Sequence, residues 1–249
     1  MQNKKIVKII LIISIIAASG ASAFYFYKAK TGETLPVPDP KNAYVPGPTA
    51  KPAVIEVDHV LINVPFTTQA PLAHWEDPRQ QDGCEEAAIL MAWLWINHST
   101  MSPQQAETAI IEISEFEQAT YGNYHDFNAE DTAKLFQDYY HYDKVDFQLN
   151  PTIEDIKMAL KLGKLVLVPT NGQLLGNPHY KQPGPTTHML VIKGFDDNKK
   201  EFITNDPGTR FGEGYTYNYD VLFSAMIDYP SGDHESQVGR PKSMVIVEK

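Results

Sequence analysis

The spacing of apolar residues changes from helical to strand-like near the middle of the chain. Residues 54–64 alternate between apolar and polar, as a strand does, whereas the stretch from Cys84 to Asn97 is apolar on nearly every side after its first turn. This stretch predicts a buried central helix that begins at Cys84. Capping residues predict three further helices: Pro103 to about Glu117 after Ser102, Asn128 to about Tyr140, and Thr152 to Gly163.

The second half of the chain contains short β-branched runs between turn residues. Four of them predict strands: residues 164–169, 188–195, 201–204 and 243–247. A short helix is expected at residues 219–227, and the polar segment 67–82 is expected to be a loop. Helices followed by strands of antiparallel appearance predict an α+β domain of two lobes.

The first 30 residues have the layout of a targeting segment. Three lysines precede an apolar run that starts at Ile9, and residues 21–23 (Ala-Ser-Ala) form an acceptable cleavage site for an export signal. The apolar run continues to Tyr27, which is long enough for an uncleaved membrane anchor. Signal peptide and N-terminal anchor both stay open, and either one places the rest of the chain outside the cytoplasm, secreted or membrane-anchored.

A proline-rich segment and an acidic domain follow. Six prolines in residues 31–52 predict an extended linker, so the folded domain is predicted at residues 53–249. From Ala53 onward the chain has 29 acidic and 14 basic side chains. Such a surface repels nucleic acid, and we expect no nucleic-acid partner; membrane contact is expected only through an uncleaved N-terminal segment.

Cys84 is the single cysteine of the chain. It excludes an internal disulfide framework and a multi-cysteine zinc site. At the start of a helix, backbone N–H groups and the helix dipole stabilise a thiolate, which is the nucleophilic form of cysteine. The charges of Glu85 and Glu86 oppose that ionisation, so a buried inert thiol and a reactive thiol are both consistent with Cys84 alone.

A base for this thiol is expected at His188, which begins an apolar strand. A hairpin with its turn centred on Asp197 places His188 directly opposite Asp206, where Cβ atoms lie about 5 Å apart. A carboxylate there fixes the imidazole tautomer and stabilises the imidazolium. Because the register is uncertain by about one residue, Asn205 is a weaker candidate for the same role.

Acyl chemistry also requires donors for an oxyanion. The backbone N–H of Cys84 is one candidate donor, and a side-chain amide upstream is the second. Gln69 lies just after the first predicted strand, whereas Gln80 and Gln81 are nearer to Cys84 but sit in a very polar loop. At this point the three glutamines remain alternatives.

Four motifs in this order resemble those of the peptidase C-39-like family, relatives of the bacteriocin-processing double-glycine peptidases within the papain clan of cysteine peptidases. They are Asn63-Val64-Pro65-Phe66-Thr67-Thr68-Gln69, Asp82-Gly83-Cys84 with Ala87, Ala88 and Met91 in the helix that follows, Thr187 to Asp196 around His188, and Ile203 to Pro207 around Asp206. The resemblance spans roughly residues 60–210.

The resemblance implies a papain-like fold in which the helix bearing Cys84 packs on an antiparallel sheet. It also implies Cys84 as nucleophile, His188 as base, Asp206 as the residue that orients it, and Gln69 in the oxyanion hole. One departure concerns Glu85 and Glu86, because many members of the family have Gly-Pro after the cysteine.

These observations predict an extracytoplasmic cysteine peptidase that hydrolyses a peptide or isopeptide amide. The expected partner is a peptide or protein substrate, with a cell-wall peptide as one option, and no cofactor or metal is expected. Two other functions remain open: a transglutaminase-like acyl transferase, which uses a similar Cys-His-Asp set, and a tethered binding module that has lost activity. Metal binding is disfavoured because His179 and His188 lack ligand-like spacing.

Overall fold

The computed structural model describes residues 57–232 and 236–249. The predicted targeting segment 1–30 and the predicted linker 31–52 lie outside these residues, as does the start of the predicted strand 54–64. Among the residues described, none of the helices has the length and apolar character needed to cross a bilayer.

The helices and strands alternate irregularly along the described chain. In order, they are β1 (His59–Leu61), α1 (Pro78–Gln81), α2 (Cys84–Ile96), α3 (Pro103–Tyr121), α4 (Ala129–Tyr140), β2 (Val145–Leu149), α5 (Ile153–Lys161), β3 (Leu165–Thr170), α6 (Gly172–Leu175), β4 (His188–Asp196), β5 (Glu201–Asn205), β6 (Glu213–Asn218), α7 (Tyr219–Ala225) and β7 (Ser243–Val247).

All strand pairs of the sheet are antiparallel. The strand order is β2-β7-β3-β4-β5-β6, and β1 pairs with the far end of β4. Strand β4 is therefore central: β5 pairs along one edge, and β3 and then β1 pair along the other. His188 stands at the first position of this strand, opposite Thr170 of β3.

The two faces of the sheet contribute to two apolar clusters. Met189 and Val191 of β4 pack with α2, α3 and α4, whereas Leu190 and Ile192 pack with α5 and α7 on the other face. This follows from the two-residue alternation of side chains along a strand. Helix α2 is buried at almost every position, as its sequence predicts, since it is apolar on nearly every side after the first turn.

The predicted α+β class and the helix starts are confirmed by the structure. Helix α3 runs past the predicted end near Glu117 to Tyr121, where Gly122 ends it in a left-handed conformation with φ of 80°. The prediction of an unbroken loop over residues 67–82 is wrong at its end, because α1 forms there with Asp77 as its N-cap. Strands β2 and β6 and helix α6 were not predicted.

Candidate active site

Cys84 occupies the first position of α2, with Gly83 as its N-cap. Helices α1 and α3 approach Gly83 closely: a Cβ atom there would lie 2.8 Å from the carbonyl oxygen of Arg79 in α1. Glycine therefore allows the chain to enter the helix at this point. The backbone N–H of Cys84 donates to the carbonyl oxygen of Asp82 at 2.9 Å.

The Cys84 thiol is buried between a carboxylate and a backbone amide. Its Sγ donates to Oε2 of Glu85 at 3.0 Å and accepts from the backbone N–H of Met189 at 3.3 Å. Burial and the charge of Glu85 raise the pKa of the Cys84 thiol well above its ordinary value, although the Met189 amide acts in the opposite direction. In this arrangement the thiol is protonated at neutral pH.

His188 and Asp206 form a buried hydrogen-bonded pair. Nε2 of His188 lies 2.8 Å from Oδ1 of Asp206, and both side chains are almost fully enclosed. Since this bond occupies Nε2, the other ring nitrogen, Nδ1, is the one left for exchange with a thiol. The predicted pairing of the two residues is thus present, but the strand register that brings them together differs from the predicted one.

The predicted hairpin register is wrong by two residues near the site. Strand β4 pairs Val191 with Asn205 and then shifts register between Ile192 and Gly194. One further step along this register brings Asp206 opposite the position two residues after His188. Residues two apart lie on the same face of a strand, so the two side chains still meet along the diagonal.

The weaker candidate, Asn205, is used elsewhere. Its amide nitrogen donates to the carbonyl oxygens of Val64 and Pro65, each at 3.2 Å, and its side-chain oxygen accepts from the Gly214 N–H. Asn205 therefore holds the segment after β1 against the end of β5. His188 takes Asp206, not Asn205, as its partner.

Cys84 and His188 line the same cleft, which has a volume of about 1450 Å³. The Met189 amide that contacts Sγ belongs to the residue directly after His188, so the thiol lies against the backbone at the start of β4. Within the described part of the chain, no hydrogen bond joins Sγ to the His188 ring. Catalytic hydrogen bonds are often long or unformed without substrate, and the thiol is here held by Glu85 instead.

Gln69 also borders the cleft, but its amide is engaged. Its Nε2 donates to the carbonyl oxygens of Gln80 at 3.0 Å and Gln81 at 2.7 Å, and its Oε1 has no hydrogen-bond partner among the described residues. The Cys84 N–H is likewise bonded, to Asp82. Both predicted oxyanion donors are occupied, and their catalytic role stays a prediction that requires these bonds to open.

Sequence reasoning missed that Glu85 and Glu86 are buried. Oε1 of Glu85 accepts from the Tyr229 hydroxyl at 2.5 Å and from the Phe127 N–H at 3.3 Å. Burial, and after it the charge of Asp126, raise the pKa of Glu85 to about 7. A helix that is apolar on all sides has no solvent face, and that pattern was the signal for charges buried in its first turn.

Glu86 and Glu117 of α3 form a pair of buried carboxyl groups. It accepts a hydrogen bond from the Ser114 hydroxyl at 2.6 Å. Burial and the charge of Glu85 raise the pKa of Glu86 to about 8, and burial together with Glu86 raises the pKa of Glu117 well above its ordinary value. Two carboxyl groups this close share a proton, because they cannot both ionise cheaply away from water.

The partners that hold Asp206 were also missed. Its Oδ2 accepts from the hydroxyls of Tyr180 at 2.5 Å and Tyr217 at 2.6 Å and from the Asn177 amide at 3.2 Å. Its Oδ1 accepts from the Gly208 N–H as well as from His188. These residues come from separate segments with no pattern that connects them, so no sequence signal was available.

Within the residues that the structure describes, no three His, Cys, Asp or Glu side chains are grouped so that they could hold a metal ion. The chemistry that the site can perform is that of a thiol, an imidazole and a carboxylate. Such a set supports acyl transfer once the thiol reaches the imidazole.

Comparison with solved structures identifies the architecture. The chain is similar to a C39-like peptidase from Bacillus anthracis, with a TM-score of 0.50, 16% sequence identity and coverage of 78% of this chain and 99% of that one. Among curated proteins, no relative matches this chain. The mixed helices and the seven-stranded antiparallel sheet fit a papain-like α+β fold.

The family model of the Peptidase_C39 like family matches residues 61–230, which is more than half of the chain. The protein belongs to this family. The matched region includes Gln69, Cys84, His188 and Asp206, so all four predicted site residues lie inside it. Family and fold together are those of a peptidase.

Proposed function

We propose that the protein is an extracytoplasmic cysteine peptidase in which Cys84 is the nucleophile, His188 the base and Asp206 the residue that orients it. The observation that supports this most directly is the His188–Asp206 pair at 2.8 Å beside a helix-start cysteine, with thiol and imidazole bordering one cleft. Membership of a peptidase family supports the same reaction class.

The proposed reaction is acyl transfer in two stages. His188 Nδ1 takes the proton of Cys84, and the thiolate attacks the carbonyl carbon of the substrate amide to form a tetrahedral intermediate. Collapse of this intermediate breaks the C–N bond while His188 protonates the departing amine, which leaves a thioester on Cys84. Water, deprotonated by His188, then hydrolyses the thioester and restores the thiol. Asp206 stabilises the imidazolium in both stages.

The oxyanion of the intermediate needs donors that the resting structure does not offer. In the proposal, the Cys84 N–H leaves the Asp82 carbonyl and the Gln69 amide leaves the carbonyls of Gln80 and Gln81 when substrate enters. Donors aimed at a developing oxyanion contribute about 10²- to 10³-fold in rate each.

The proposed substrate is a peptide or isopeptide amide outside the cytoplasm, with cell-wall peptides as one class. The supporting features are the targeting pattern of residues 1–30 and the linker pattern of residues 31–52. The cleft also has exposed aromatic side chains on its lining, Trp75 and Phe211, which can pack against a bound chain.

One observation favours a second candidate, a tethered binding module without activity. Burial and Glu85 raise the pKa of the Cys84 thiol, whereas a working nucleophile needs access to its thiolate. In that case the cleft would bind peptides without cleaving them.

A covalent probe separates the two candidates. A peptidyl vinyl sulfone is incubated with the purified protein, and intact mass spectrometry detects a single adduct. The peptidase proposal predicts an adduct on Cys84 that is lost in Cys84→Ala and strongly slowed in His188→Ala. Peptide binding without an adduct supports the inactive module, and equal labelling of Cys84→Ala contradicts a role for the thiol.

A further inference from the structure

The proposed mechanism does not use Glu85, although its carboxylate makes the closest polar contact of the nucleophile. Glu85 follows Cys84 in α2 and is 2% exposed. Its two oxygens have different partners: Oε1 accepts from Tyr229 and Phe127, and Oε2 accepts from the thiol at 3.0 Å. Oε1 is thus held in place by Tyr229 and Phe127, and Oε2 is the oxygen that binds the thiol.

The charged and titratable groups that act on Glu85 come from several parts of the chain. Glu86 lies on the same helix, and Glu117 lies on α3. Asp126 comes from the segment between α3 and α4, and Tyr229 from the segment after α7. The groups that act on its charge are therefore acidic or neutral, and the buried carboxylate is held close to the point of protonation.

We propose that Glu85 is a positioning residue that keeps the Cys84 thiol in a resting state, protonated and bonded to the carboxylate instead of to His188. This proposal deepens the proposed function and rests on it for its catalytic consequence. Activation breaks the S–H···Oε2 bond and transfers the proton from Sγ to Nδ1 of His188. Glu85 keeps its own protonation state, and no redox partner is involved.

This resting state is consistent with the other bonds at the site. The Cys84 N–H and the Gln69 amide, the two candidate oxyanion donors, are also tied to backbone carbonyls. All three features change together if substrate entry draws the start of α2 toward the cleft. In this proposal the Glu85 carboxylate restrains the thiol until substrate enters. That role explains why an acidic residue stands at a position where its charge opposes thiolate formation.

The test uses the single cysteine of the protein as its own reporter. The rate of alkylation by iodoacetamide is measured against pH for the native protein, Glu85→Gln and the matched control Glu117→Gln. Both variants remove one buried carboxyl group from the same cluster without changing side-chain size, but only Glu85 contacts the thiol. Folding of each variant is checked by circular dichroism.

The proposal predicts that the pH midpoint of alkylation falls by about one unit or more in Glu85→Gln, because a neighbouring anion no longer opposes the thiolate. Glu117→Gln keeps the native midpoint. If Glu85 only stabilised the fold, Glu85→Gln would lower the free energy of unfolding without changing the pH midpoint of alkylation. Equal midpoints for the native protein and a folded Glu85→Gln variant overturn the proposal.

A measurement on the unaltered protein keeps the proposal testable if Glu85→Gln does not fold. The S–H stretching band in the infrared spectrum reports one thiol. We expect this band at neutral pH, shifted to lower frequency relative to the unfolded chain, because the thiol donates to a carboxylate. An unshifted band, or no band, overturns the proposal.

The result is independent of the proposed function. Alkylation is measured without substrate, so a thiol that responds to Glu85 in a protein without peptidase activity removes the proposed function and leaves this contact in place. Conversely, peptidase activity together with an alkylation midpoint that does not change in Glu85→Gln overturns this proposal and leaves the proposed function in place.

Discussion

Nε2 of His188 lies 2.8 Å from Oδ1 of Asp206, and the other oxygen of the same carboxylate accepts from Tyr180, Tyr217 and Asn177. Burial raises the pKa of Asp206, but the charge of His188 and the hydrogen bonds from His188 and the tyrosines outweigh it, so its pKa lies below the ordinary value. The carboxylate is therefore ionised at neutral pH and holds the imidazole in one orientation.

The first prediction concerns this carboxylate. Asp206→Asn keeps the size of the side chain but removes the charge and changes the tautomer that His188 adopts. We expect kcat to fall by about 10³- to 10⁴-fold, as for other triads that lose their carboxylate. Steady-state kinetics on a cleaved peptide measures this effect, and a variant within tenfold of the native kcat contradicts the role assigned to Asp206.

The second prediction concerns the hydroxyl of Tyr180. Tyr180→Phe removes a buried donor to an ionised carboxylate, so the free energy of unfolding should fall by about 1.5–3 kcal/mol. Urea unfolding measures this change. Tyr215→Phe is the matched control, because the Tyr215 ring packs at a tilt against Tyr217 and its hydroxyl is not among the donors to Asp206. An equal loss in both variants would show that the Tyr180 hydroxyl contributes nothing specific.

The third prediction concerns space beside the imidazole. A Cβ atom at Gly208 would lie 2.9 Å from Cε1 and 3.2 Å from Nε2 of His188. Gly208→Ala should therefore displace the ring and lower kcat/KM, by about 10²-fold for a shift on the order of 1 Å. A crystal structure and kinetics of the variant check both parts. Native kinetics would contradict the close approach of Gly208 to His188.

The fourth prediction is a pH dependence of stability. In the folded state burial and Glu85 raise the pKa of Glu86 from about 4.5 to about 8, so between these values the folded chain binds more protons than the unfolded chain. The free energy of unfolding should therefore fall as pH rises from about 5 to about 8, by about 1.4 kcal/mol for each unit of pKa difference at most.

Denaturant unfolding at several pH values tests this slope. Glu86→Gln removes one of the responsible groups and should flatten the dependence. Glu112→Gln, at an exposed position of α3, should leave the slope as it is. Stability that rises over this pH range in the native protein would contradict the burial of these carboxyl groups.

Much of the scaffold was predictable because local rules determine it. The caps Ser102, Asn128 and Thr152 define helix starts, and the apolar residues that follow the first turn of α2 identify its buried position. Strands β2 and β6 were not predicted because Val145–Leu149 and Glu213–Asn218 do not form apolar runs rich in β-branched residues. Their pairing depends on partners that are distant in sequence or on an edge of the sheet.

The candidate site was predictable only in part. His188 and Asp206 meet because a hairpin joins them, and a register error of two residues leaves their faces unchanged. The partners of Glu85, Phe127 and Tyr229, reach it from distant segments of the chain. The apolar pattern of α2 indicates that Glu85 is buried, but contacts made by tertiary packing have no local signal that identifies the partners.

The central claim is that Cys84 and His188 together cleave an amide. The most direct test incubates the native protein, Cys84→Ala and His188→Ala with one defined peptide pool and identifies new termini by mass spectrometry. We predict cleavage by the native protein and a loss of at least about 10³-fold in each variant. The same cleavage products at the native rate from Cys84→Ala would contradict the claim.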